Sequence, residues 1–179
     1  MKEKLNDTTE SMKLIHELRS LLISRFGTLS DQYSKDDYLR SVVLWSSDRI
    51  FKISELVTDS SFDYLWTDMS NLNVGALGED ERSDMLGLVQ SLEEFLSAHS
   101  KDIFNEKNVF KKEVTTVFKK LKEQHQGVTE PNRKPNYWQM IRLVLVGSNH
   151  GPPVFEIFNL LQKENIIYRL RIAKQILDK

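Results

Sequence analysis

The residues best suited to chemistry sit together in IRLVLVGSNHGPPVFEIFNLL, from Ile141 to Leu161. Arg142 interrupts an apolar run. Gly147, His150 and Gly151 follow, then Pro152 and Pro153 in tandem, before apolar residues return at helical spacing. An arginine planted on a packed helix is a fixed fork of donors for a base edge, a phosphate or a carboxylate. Proline costs nothing in the first turn of a helix. The N–H groups beyond it, at the positive end of the helix, attract anions. Glycine lets another backbone approach closely. The plainer account of the same residues is a tight turn between two packed helices, with Arg142 paired to Glu156 or to an acid on another helix.

Other chemistries fit less well. Neither G-x-x-x-x-G-K-[ST] nor G-x-G-x-x-G occurs, and the segment before Gly147 has helical rather than strand character, so this is not a nucleotide-phosphate loop. RNA-cleaving HEPN-type helical domains pair an arginine with a histidine a few residues on. Here seven residues and a glycine separate Arg142 from His150, which makes that nuclease an alternative and not the main reading. His16, His99 and His125 are too scattered to suggest a metal site. The absence of cysteine rules out disulfides, thiolate metal ligation and a cysteine nucleophile.

The elements that must position this corner are helical throughout. Met12, Ile15, Leu18, Leu22 and Phe26 form an i, i+3, i+4 stripe on a helix from Thr9 to Phe26, with Gly27 as its stop. Ser34 is placed to cap a helix through Tyr38, Val42 and Trp45. A short amphipathic piece is expected over 47–57, and another after Thr58 carries Phe62, Leu65 and Trp66. After a loop over 71–78, Met85, Leu88, Val89, Leu92, Phe95 and Leu96 mark a long helix. Residues 100–105 break it. Lys107 to His125 is helical again, apolar at Val109, Phe110, Val114, Val117, Phe118 and Leu121 and basic at Lys111, Lys112, Lys119, Lys120 and Lys122. QGVTEPNRKPN, 126–136, is the clearest loop. Pro135 then suits the first turn of a helix ending at Gly147. Pro152 or Pro153 opens the next helix, and a turn at 163–165 leads into the last. The expected fold is all-α, in two small subdomains over 1–70 and 71–179.

The formal net charge of −1 hides an asymmetry. Residues 106–179 carry 14 Lys and Arg against 7 Asp and Glu, a net +7, while 1–105 carry 11 against 19, a net −8. A basic half suggests an anionic partner, with nucleic acid the usual candidate. One basic face with no partner is the plainer account, and a helical protein-interaction domain is a second alternative. No apolar run reaches the ~20 residues of a membrane span. The opening MKEKLNDTTE has no signal-peptide core and is too acidic for a transit peptide.

Two blocks resemble a known family. Residues 141–173, IRLVLVGSNHGPPVFEIFNLLQKENIIYRLRIA, are similar to the end of the anticodon-binding domain of bacterial and mitochondrial glutamyl-tRNA synthetases. Arg142, Gly147, Pro152, Phe155, Glu156, Leu161, Lys163, Glu164, Arg169 and Leu170 fall where that family's pattern places them. Residues 38–66, YLRSVVLWSSDRIFKISELVTDSSFDYLW, resemble the helix pair preceding it in the same family. Two departures mark divergence: Gln162 stands where the family has glycine, and Asn165 where it has arginine. That divergence suggests the mitochondrial matrix, with the bacterial cytoplasm as the alternative. No HIGH-like or KMSKS-like motif and no alternating strand–helix pattern is present. The expectation is therefore a C-terminal domain alone, whether excised, a fragment or a stand-alone relative. Such a chain would carry no cofactor, since ATP and magnesium belong to a catalytic domain elsewhere.

The resemblance implies a helical cage that reads the anticodon loop of the tRNA for glutamate, with the catalytic domain of the same synthetase as its other partner and no membrane. Arg142, Gly151, Pro152 and Val154 would meet the second and third anticodon bases. At Gly151, where the family can have threonine, only the backbone could make the contact. Arg49, ahead of Lys52 and Arg40, would stand near the first base. Tyr137 and Trp138 could stack on bases, although a tryptophan placed like Trp138 is more often a core residue. Arg133 and Lys134 would meet phosphates, which gives affinity without sequence preference. Glu156 would be structural.

Overall fold

A computed structural model of the chain describes residues 8–67, 72–75, 77–100, 104, 106–125 and 135–179. Among them every regular element is helical, as the 3.6-residue periodicity predicts. The chain divides into two compact units, Met1–Thr67 and Asp68–Lys179.

In the first unit, α1 (Thr8–Phe26) buries Ile15, Leu18 and Leu22 and ends at Gly27, whose φ of +74° is the left-handed turn expected there. A single turn, α2 (Asp31–Ser34), precedes α3 (Asp36–Ser46). Ser34 therefore closes α2 and does not cap α3. Lys35 takes the capping position, and the acidic pair Asp36 and Asp37 faces the positive helix end. The expected helical piece over 47–57 is mostly turn, with only α4 (Glu55–Thr58) regular. Glu55 explains the turn, because its carboxylate accepts the N–H groups of Phe51 and Lys52 at 3.3 and 2.9 Å. Asp59 then caps the 3₁₀ helix Ser60–Leu65 through the Ser61 N–H at 2.8 Å, a bond that holds the Asp59 carboxyl below its ordinary pKa. Two buried aromatics close the unit: the Tyr38 hydroxyl donates to the Leu65 carbonyl and the Trp66 indole to the Leu56 carbonyl, both at 2.8 Å.

The second unit is built on α5 (Glu79–Ala98), α6 (Lys107–His125), α7 (Tyr137–Val146) and α8 (Val154–Leu177). Met85, Leu88, Val89, Leu92 and Leu96 of α5 join Phe110, Val114 and Phe118 of α6, Ile141, Val144 and Leu145 of α7, and Ile157, Phe158, Leu161, Ile166 and Leu170 of α8 in one core. Arg82 ties the ends of the unit together, donating to the carbonyls of Leu177 and Ile176 at 2.9 and 3.1 Å. These are C-terminal carbonyls that α8 leaves without helical partners. Pro135 lies two residues before α7: Asn136 is the cap, its side chain accepting the Gln139 N–H at 3.2 Å, and the helix begins at Tyr137.

The expected turn at 163–165 is one residue earlier and sharper. Gln162 breaks α8 with φ +62° and ψ 160°. Only glycine enters that region without strain, which costs other residues about 1–3 kcal/mol. The family glycine that the sequence lacks at this position thus has a conformational reason. Gln162→Gly is expected to raise stability by about 1 kcal/mol, after offsetting the extra freedom glycine gains in the unfolded chain. In urea unfolding the midpoint should rise with an unchanged slope.

Candidate nucleic-acid interface

The corner between α7 and α8 is held from two sides. Gly147, at φ +78°, ends α7 in the left-handed conformation, and its N–H donates to the Leu143 carbonyl at 2.8 Å. Below the turn, Arg169 of α8 is fully buried and its Nη1 donates to the Leu145 carbonyl in the last turn of α7. Above it, the half-buried Arg142 clasps the turn itself. Its Nε donates to the Pro152 carbonyl and its Nη1 to the Asn149 carbonyl, each at 3.3 Å. The partners are loop carbonyls, not Glu156 or any other acid. Nη2 makes no hydrogen bond among the described residues, so one arm of the fork remains available.

Gly151 sits at φ +141°. A Cβ there would meet Val146 Cγ1 at 3.6 Å and Arg142 Cδ at 3.9 Å, which is ordinary contact. The backbone conformation, not crowding, calls for glycine. Pro153 caps α8 and no side chain satisfies the helix end. The Glu156 and Ile157 N–H groups turn back to the Pro153 carbonyl at 2.9 and 3.2 Å. Those of Val154 and Phe155 have no partner among the described residues. They are donors at the positive end of a long helix.

The sequence-predicted contacts separate on this geometry. Arg142, Gly151 and Pro152 come together in the corner, the last half-buried with its carbonyl held by Arg142. Val154 is 6% exposed, so its side chain belongs to the core and only its N–H can meet a ligand. Tyr137 is buried, and the half-buried Trp138 lies edge-on to Phe118 with ring centroids 4.9 Å apart. Tyr137 is thus spent on packing, while Trp138 keeps part of its surface exposed. Arg133 and Lys134 lie outside the described residues. Arg49 belongs to the first unit, where its guanidinium sits 4.4 Å over the Trp45 ring. His150 is exposed, and its only hydrogen bond among the described residues is from its backbone N–H to Ser148 Oγ, at 3.1 Å.

Sequence reasoning missed a groove of about 340 Å³ beside the corner. Glu81 and Met85 of α5, the α7 cap Asn136, Gln139 and Leu143 of α7, and Asn149 of the turn line it. The amide side chains offer donors and acceptors, and Met85 and Leu143 offer apolar walls. Only the Asn136–Gln139 spacing on one helix face could have signalled it in advance. Along α6, Lys107, Lys111, Lys112, Lys119 and Lys122 are exposed, and Lys107 to Lys122 spans about 22 Å at the helical rise.

Among the described residues no helix is long and apolar enough to cross a membrane, and no cluster of metal-ligating side chains occurs. No curated protein and no solved structure matches the chain. The model of one family does, described as an anticodon binding domain, and the match runs over residues 13–174, through both compact units. The chain belongs to the anticodon-binding domain family of aminoacyl-tRNA synthetases, and its partner is tRNA.

Proposed function

We propose that this domain reads the anticodon of the tRNA for glutamate and serves a glutamyl-tRNA synthetase of bacterial or mitochondrial type. The observation that carries the reading is the ordered correspondence of residues 38–66 and 141–173 with that enzyme's pattern, centred on Arg142, Gly147 and Pro152. The corner's chemistry supports it. Specific RNA readers bind splayed, unpaired bases through hydrogen bonds to their edges. The open Nη2 of Arg142, the N–H groups of Val154 and Phe155, and the amide-lined groove beside them suit such edges. In this proposal Arg49 meets the first anticodon base, and Arg133 and Lys134 meet phosphates. Glutamate activation, with its ATP and magnesium, belongs to a catalytic domain. Residence in the mitochondrial matrix rests on the divergence at Gln162 and Asn165 alone.

The lysines of α6 supply sequence-independent attraction. Changing Lys111, Lys119 and Lys122 together to glutamine is expected to reduce the slope of log K against log salt by roughly 2, at about 0.7 for each phosphate no longer neutralised. Preference among tRNAs should not change. The glutamyl assignment is tested by titrating the chain at low salt with tRNAs for glutamate, for glutamine and for an unrelated amino acid. Tighter binding of glutamate tRNA than of the unrelated one supports it. Equal binding of all three contradicts it.

A further inference from the structure

We infer that Phe51 is a stacking platform for an unpaired RNA base, in the turn that joins α3 to α4. The inference rests on tRNA binding and extends it to a residue that neither the family pattern nor the corner geometry singles out. Phe51 is 94% exposed, the most exposed large apolar side chain among the described residues. Its position is not the result of a loose loop. The Arg49 and Ile50 N–H groups donate to the Ser46 carbonyl at 2.8 and 3.1 Å, and Glu55 accepts the N–H of Phe51 and of Lys52. Ile50 and Ile53, on either side, are buried. These anchors fix the turn and leave Phe51 directed at solvent.

The surroundings favour a nucleic acid over a protein partner. Arg49 and Lys52 are exposed on either side in sequence, and the Arg49 guanidinium sits 4.4 Å from the Trp45 ring centroid. Of the two acids nearby, Glu55 is occupied by backbone N–H groups and Asp48 is exposed. Single-stranded RNA is bound by aromatic faces with cations close by in the chain: the ring takes the base, and cations such as Lys52 take the phosphates. The Phe51 face is open to any base, so its contribution is affinity and not sequence choice.

The test uses the whole chain and a tRNA anticodon stem-loop carrying 2-aminopurine at single loop positions. Phe51→Ala and Phe51→Leu are expected to weaken binding about 10-fold, while the salt slope stays that of the wild type because every cation is retained. Quenching of 2-aminopurine at one loop position should disappear in both variants and return in Phe51→Trp. Because the side chain is exposed, none of these changes should alter the melting temperature. Wild-type affinity in Phe51→Ala, or in Phe51→Leu, would overturn the inference. If Arg142→Ala still weakens binding in that case, the anticodon reading survives without it. If the wild-type chain binds no RNA, both fall together.

Discussion

Arg169→Met is expected to destabilise the second unit by about 3 kcal/mol, near the upper end for a single substitution. Arg169 has no exposed surface, and its guanidinium satisfies the Leu145 carbonyl at the end of α7. Methionine preserves much of the apolar stem but leaves that buried acceptor unmet, at a cost of about 1–3 kcal/mol, and removes the other hydrogen-bonding capacity of the fork. The loss should appear as a lower urea midpoint in Trp138 emission, because Trp138 is the one tryptophan of this unit. Lysine should rescue little, since a single ammonium cannot reproduce a planar fork. A change under about 1 kcal/mol would mean that Arg169 does not hold the corner.

Arg142→Ala should weaken binding of the matched anticodon loop by roughly 10- to 100-fold, the usual consequence of removing an arginine that reads a base edge. Its effect on stability should be small by comparison, about 1 kcal/mol, because the two bonds it removes are long and half-exposed. Arg142→Lys separates charge from geometry. It keeps the cation, so the salt slope should hold while the preference for the matched anticodon disappears. A purely structural Arg142 would show the reverse pattern, with a stability loss and no change in preference.

Much of this fold was legible because helical periodicity is a local signal. The stripes of α1, α5 and α6 and the stops at Gly27 and Gly147 needed no tertiary information. What was missed depends on packing between residues distant in sequence or on single hydrogen bonds. The 47–54 turn looks helical by composition, but Glu55 captures the N–H groups that a helix would have used. The turn expected at 163–165 falls at Gln162 instead, since nothing intrinsic to glutamine marks positive φ. The corner itself could be read as a turn. The sequence could not show that Arg142 would bind carbonyls of that turn and Arg169 a carbonyl of the helix before it. Nor could it show that Val154 and Tyr137 would be spent on the core, because a side chain's facing is decided by which helix lies opposite.

The most direct test of anticodon reading is a titration of the wild-type chain at low salt against two molecules: a tRNA with the glutamate anticodon and the same tRNA with its second and third anticodon bases changed. A reader built on the Arg142 corner binds the first at least 10-fold more tightly, as even one mismatched base costs about 1–3 kcal/mol. Equal affinity for the two would contradict it and leave only a basic surface that attracts RNA of any sequence.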